Sequence, residues 1–98
     1  MSTLIAELRP VTAEKVRITN ESLTVELTDG RILSVPLAWF PRLQHARAKE
    51  RANWRWISKG EGIHWPDLDE DISMENLVLG QASGESQASF KRWLQQRK

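Results

Sequence analysis

Apolar and polar residues alternate without a break from Ser22 to Thr28, with Leu23, Val25 and Leu27 on one side and Thr24 and Glu26 on the other. A period of two marks a half-buried strand. Residues 15–20 alternate more briefly, with Val16 and Ile18 on one side, and predict a strand ahead of it. The pattern resumes after Asp29-Gly30 in "RILSV". Register decides the turn between them. A two-residue Asp29-Gly30 loop pairs Leu27 with Ile32 and Val25 with Ser34, which mixes the faces. A three-residue Thr28-Asp29-Gly30 loop with a left-handed glycine pairs Val25 with Leu33 and Leu23 with Val35. The three-residue turn keeps the apolar sets together and is the one expected, with Pro36 closing the third strand.

The period then changes. Pro41 suits a first helical turn, and Phe40, Leu43 and Ala46 are spaced by three, so a surface helix is expected over about 41–53. Ala48 and Ala52 in its second half raise helix propensity more than they bury area. "WRWIS" (54–58) predicts a strand with Trp54 and Trp56 on one face and Arg55 and Ile57 on the other. Residues 59–62 read as a turn, 63–65 as a short return strand ended by Pro66, and "DLDEDIS" as a polar loop. A short helix over about 73–79 is expected from Ser73 as N-cap, Glu75 in the first turn and Gly80 as the stop. Residues 81–89, "QASGESQAS", have linker composition, and a C-terminal helix over about 86–97, capped near Ser86, carries Phe90, Trp93 and Leu94 on one side.

The predicted class is therefore α+β: a small antiparallel sheet of three N-terminal strands plus a later hairpin, packed with these helices. Residues 1–80 would form one domain, followed by a linker and helix over 81–98. The Phe90/Trp93/Leu94 face must pack on its own domain or on a second copy, so a homodimer through it is one expectation.

Composition narrows the function classes. The chain has 98 residues, 40% apolar and 28% charged, which is a globular balance for one domain. It has no cysteine, which excludes disulfides, thiolate metal sites and cysteine nucleophiles, and fits a reducing cytoplasm. "MSTLIAELRPV" has neither a basic leader region nor a long apolar run, so a cytoplasmic address is expected. Net charge is only +1, yet it is unevenly spread. Arg42, Arg47, Lys49, Arg51, Arg55 and Lys59 precede six acids between Glu61 and Glu75. With His45, the basic residues from Arg42 to Arg55 are the candidate contacts for a partner or a nucleic acid. The acids are expected to stabilise the 73–79 helix start and to pair with the preceding basic segment.

Asp67, Asp69, Glu70 and Asp71 are hard oxygen ligands of the kind Mg²⁺ or Ca²⁺ takes, which makes a metal-dependent enzyme a remote alternative. Counted from Asp67, however, the EF-hand glycine and glutamate positions hold Ile72 and Val78. His64 has no second histidine at ligand spacing, since His45 lies on the polar side of the predicted helix. The chain has no tyrosine, no nucleophile elbow and no glycine-rich phosphate loop. No catalytic activity and no cofactor are expected. Most of the five tryptophans are expected in the core or half-core, with stacking on bases as the alternative, and Trp39, Trp54 and Trp65 are read as architectural.

"LTDGRILSVPLAWFPRL" and "ERANWRWISKGEGIHWPDLDEDISMENLVLG" together resemble the bacterial domain of unknown function 2442 family. The resemblance rests on Asp29, Gly30 and Arg31, on Val35, Pro36, Leu37, Trp39, Phe40, Pro41, Arg42 and Leu43, and on Arg51, Asn53 and Trp54. It continues through Gly60, Gly62, Ile63, His64, Trp65, Pro66, Asp67, Leu68, Asp69, Glu70, Asp71, Ile72 and Ser73 to Leu77, Leu79 and Gly80. It covers about residues 14–80, departs at "QHARAKE" and leaves the C-terminal helix outside. It implies a small α+β protein without assigned catalysis. Members occur alone, fused to helix-turn-helix domains, or beside a second small protein in arrangements like toxin–antitoxin modules. A protein-binding role, antitoxin-like towards a neighbouring small protein, is what the resemblance implies.

Overall fold

Residues 10–97 are described by a computed structural model; residues 1–9 of the N-terminal stretch read above for a leader, and Lys98, lie outside them. Strands β1 (Ala13–Ile18), β2 (Ser22–Leu27) and β3 (Ile32–Pro36) form one antiparallel sheet in the order β1-β2-β3. Val25 lies opposite Leu33 and Leu23 opposite Val35, the register of the three-residue turn. Gly30 has φ +97°, and the Leu27 N–H donates to the Arg31 carbonyl across the loop. Asp29 fixes the turn by accepting from both the backbone and the side chain of Arg31. Leu23, Val25 and Leu27 are buried, while Thr24 and Ser34 share a hydrogen bond on the outer face.

A second antiparallel sheet holds β4 (Arg55–Ile57), β5 (Gly62–Trp65) and β6 (Glu70–Ser73). The third strand corrects the polar loop expected at 67–73. Only Leu68 and Ile72 are apolar there, too few for a period of two to stand out, yet both are buried in the core. Pairing with β5 sets the alternation: Ile72 lies opposite Ile63 and points inward, while Asp71 lies opposite His64 and points outward.

The helix expected over 41–53 is broken in two. After a 3-10 turn at Leu37–Trp39, helix α1 (Pro41–Gln44) ends at His45, and helix α2 (Ala48–Ala52) restarts from Arg47. Arg47 is extended (ψ 157°), and its N–H is capped by the Glu50 carboxylate at 2.8 Å. A glutamate at the third helical position that reaches back to the N-cap amide is half of a capping box. Here it starts a second helix rather than supporting a long one. Leu43 and Phe40 are buried and Ala46 packs on the core, as their spacing predicts.

Helix α3 (Met74–Val78) starts at Ser73, whose hydroxyl accepts from the Asn76 N–H, and stops at Gly80 with φ +74°. Helix α4 (Gln87–Gln96) is capped by Ser86. It docks on α1 and α2 of its own chain. Arg42 grips Glu85 through Nε and Nη2, and Arg97 grips Glu50. Between them the Trp93 ring packs under both guanidiniums, with Arg97 4.4 Å and Arg42 5.3 Å from its centroid. Phe90 meets the His45 ring edge-on at 5.1 Å. The apolar face of α4 is thus turned onto residues 39–50.

Trp65, Leu68, Ile63, Leu43, Leu37, Met74, Leu23 and Val25 fill the centre, between the inner faces of the two sheets. Gly60, with φ +102°, passes so close to β1 that a Cβ there would stand 2.3 Å from the Ala13 carbonyl oxygen. Among the described residues no helix is long and apolar enough to cross a membrane.

Candidate functional site

The six basic candidates do not form one surface. Arg42 is largely buried, bound to Glu85 and to the Leu68 carbonyl at 2.8 Å. Its guanidinium holds the Glu85 carboxyl below the usual range. His45 ends α1, hydrogen-bonded to the Pro41 carbonyl and covered on one side by Phe90. Arg51 is half-buried and acts as a staple. Its Nε donates to the Leu43 carbonyl, Nη2 to the Gln44 carbonyl and Nη1 to the Asn20 side chain, at 2.7–2.9 Å. It thereby closes the C-terminus of α1 and ties it to the turn after β1. Arg47, Lys49 and Arg55 stand exposed.

The acidic segment behaves differently from the expected pairing with these bases. Asp67 accepts from the Asn53 amide at 2.9 Å, and Asp71 lies against His64 Nδ1 on the outer face of the second sheet. Among the described residues, the bases of 42–59 form no ion pair with these acids, because β6 turns Asp71 to His64 and Arg42 is taken by Glu85. Among the described residues no three His, Cys, Asp or Glu side chains come together as a metal-holding group. Asp69 has φ +51°, a conformation asparagine and aspartate tolerate in a tight turn.

The residues that survive as an exposed chemical feature line a groove of about 350 Å³ between β1 and α2. Its walls are Val16, Arg17, Ile18, Thr19 and Asn20 on one side and Ala48, Arg51, Ala52 and Trp54 on the other. Trp54 is half-buried and stands edge-on to Trp56, centroids 5.0 Å apart, as the shared face of β4 requires. Ala48 and Ala52 are small and exposed, which leaves the groove open above the indole. Among the described residues neither Arg17 nor Arg51 has a carboxylate partner. The groove is therefore lined by apolar side chains together with two arginines. Sequence reasoning named Arg51 as a candidate contact but read Trp54 as architectural, and it missed β1 as the second wall. The signal was the break after Gln44, which swings α2 beside β1.

Two carboxyl groups bend the pH profile of stability in opposite directions. Arg97, together with the Arg47 N–H, holds Glu50 down at about 2 against 4.5 for the free side chain. The stability it adds is full above pH 4.5 and is lost as pH falls towards 2. Burial pushes Glu70 up to about 7. The fold then prefers its protonated form, so stability falls as pH rises from 4.5 through 7. Urea denaturation across pH is expected to give a maximum close to pH 4.5. Glu70→Gln should remove the slope above it and leave the acid slope intact. A wild-type midpoint that does not change between these two carboxyl windows would contradict the assignment.

The family model described as "Protein of unknown function (DUF2442)" matches residues 13–83. The chain is similar to a protein of unknown function from Rhodospirillum rubrum ATCC 11170, known from a crystal structure, with TM-score 0.66 and 24% identity over 84% of this chain and 99% of that one. It is also similar to an uncharacterized protein from Chromobacterium violaceum, known from a solution NMR structure. The TM-score there is 0.64 and the identity 17%, over 98% of this chain and 83% of that one. At these identities the likeness carries the fold alone. No curated protein matches the chain.

Proposed function

The chain belongs to the DUF2442 family, and we propose that it is a small, non-catalytic, cytoplasmic protein-binding module, antitoxin-like in masking a second small protein. The observation that carries this reading is the open groove between β1 and α2, lined by a half-buried tryptophan and by two arginines that have no carboxylate partner among the described residues. Tryptophan and arginine are the side chains that most often anchor protein interfaces, because each combines a large contact area with a directed donor. The rest of the basic stretch supports protein over nucleic acid. Arg42 is neutralised by Glu85 and spends a further donor on the Leu68 carbonyl, which leaves one cation fewer for a phosphate backbone than the sequence offers.

The test is isolation of the full chain from its native host after nuclease digestion, in wild-type form and as Trp54→Ala. A second small protein retained by the wild type and depleted with the variant is the expected result. Retention of nucleic acid in its place, with a DNA or RNA shift at about 50 mM salt that fades at higher salt, would overturn the reading in favour of phosphate binding. Loss of every partner in both forms would overturn it outright.

A further inference from the structure

The backbone of β1 says how a partner would enter the groove. In the first sheet, the Leu27 N–H bonds to the Arg31 carbonyl and the Leu37 N–H to the Glu21 carbonyl, so the odd-numbered residues of β2 bond towards β3. The even-numbered ones bond towards β1, in register with Arg17 opposite Thr24 and Lys15 opposite Glu26. The Thr19 N–H donation to the Ser22 carbonyl continues the same series. Bonded pairs alternate along an antiparallel ladder, so Val16 and Ile18 turn their N–H and carbonyl groups to the open side. Among the described residues β1 is an edge strand, and both Val16 and Ile18 line the groove. The bulge between Ala13 and Lys15 ends this free run on one side, and the turn at Thr19 and Asn20 ends it on the other.

The groove thus combines a short unpaired strand edge, an apolar lining at Trp54, Ala48 and Ala52, and positive charge. Arg51 sharpens the charge argument. Three of its five N–H groups are held by uncharged oxygens, so the guanidinium is fixed in place with two donors left and no counter-ion among the described residues. A fixed, half-buried cation with spare donors suits a carboxylate, which makes short charge-assisted bonds there. Arg17, on the outer face opposite Thr24, adds a second positive group along the same strand edge. The other free edge is less suited, because β3 ends in Pro36, which has no N–H to offer.

We infer that the groove takes an extended acidic segment of a partner protein, which adds as a strand to the free edge of β1 at Val16 and Ile18. The mode is β-augmentation: main-chain hydrogen bonds hold the segment, and alternate side chains are read by pockets. An apolar side chain lies over Trp54, and a carboxylate of the segment meets Arg51 and Arg17. A nucleic-acid backbone can accept from the two outward amides but has no N–H ladder to return to the Val16 and Ile18 carbonyls, which favours a peptide. The inference rests on the protein-binding reading and specifies its chemistry.

A displayed library of random short peptides, panned against the full chain, supplies the probe without knowledge of the partner. The enriched sequences should carry acids alternating with β-branched or aromatic residues. With the most enriched peptide bound, amide exchange at Val16 and Ile18 should slow by roughly tenfold or more, while Arg17, already bonded to β2, changes little. Arg17→Glu, an exposed change that spares the core, should reduce binding. Val16→Pro, which removes one outward N–H from an edge strand, should do the same where it folds. Enrichment of basic or helix-forming peptides, or binding that leaves the Val16 and Ile18 amides unprotected, would overturn the inference. So would failure of any peptide to enrich, or protection by an oligonucleotide in its place. A partner retained from the native host through another surface would still uphold protein binding, so the two readings can fail separately.

Discussion

Gly60→Ala is expected to destabilise the protein by about 2–5 kcal/mol, against about 1–2 kcal/mol for Gly30→Ala. Both glycines have positive φ, +102° and +97°, so the left-handed penalty of roughly 1–2 kcal/mol falls on each substitution. They differ in what surrounds them. A Cβ at Gly30 meets open space, whereas one at Gly60 would lie 2.3 Å from the Ala13 carbonyl oxygen and 3.2 Å from its nitrogen. Neither atom can rotate away, because Ala13 is backbone at the bulged start of β1. The loop after β4 must therefore retreat from β1, adding the roughly 1–3 kcal/mol typical of overpacking. Urea denaturation of the two variants beside wild type measures the difference. Equal destabilisation would mean that the approach of this loop to β1 does not hold the two sheets together.

Trp65→Ala is expected to cost about 3–5 kcal/mol, enough to unfold much of a domain whose total stability is on the order of 5–15 kcal/mol. Trp65 is fully buried, the largest side chain at the centre. Its removal also strands the Arg51 carbonyl, which accepts the indole N–H at 3.0 Å. Trp65→Phe separates the two effects. It retains much of the apolar volume and loses the N–H, so a smaller loss of about 1–3 kcal/mol is expected. Because that hydrogen bond ends at Arg51, the phenylalanine variant should weaken partner binding more than its stability loss accounts for. A thermal unfolding series with all three proteins checks the order wild type, phenylalanine, alanine. Two variants of equal stability would remove the indole N–H from the account.

The pattern along the chain was most informative where local periodicity and register coincide. The hairpin of β2 and β3 follows from Leu23, Val25, Leu27, Leu33 and Val35 alone, since only one loop length keeps them on one face. The N-caps at Ser73 and Ser86 are equally local, each a hydroxyl that accepts from an amide three residues on. The break at Arg47 was hidden because Ala48, Lys49, Glu50 and Ala52 all favour a helix, and propensity does not say where a helix restarts. Glu50 carries the only local sign of it. β6 was hidden because Glu70, Asp71 and Ser73 leave Ile72 alone as an apolar residue, and its strand character comes from β5. The docking of α4 was hidden by distance. Glu85 stands in a stretch of linker composition, and its partner Arg42 lies forty-three residues earlier. The site shared this fate in part. Arg51 was legible as a candidate contact while Trp54 read as architectural, and their groove exists only because β1 and α2 meet in space.

The central claim is that this groove receives protein. Site-specific photo-crosslinking tests it most directly, with a photoreactive amino acid placed at Ala48 inside the groove and, as control, at Ser34 on the outer face of the first sheet. Both positions are exposed and tolerate a larger side chain. Irradiation of cells of the native host is expected to join the Ala48 derivative to one protein and to leave the Ser34 derivative without that product. Crosslinks from Ala48 to nucleic acid, or the same products from both positions, would contradict the account.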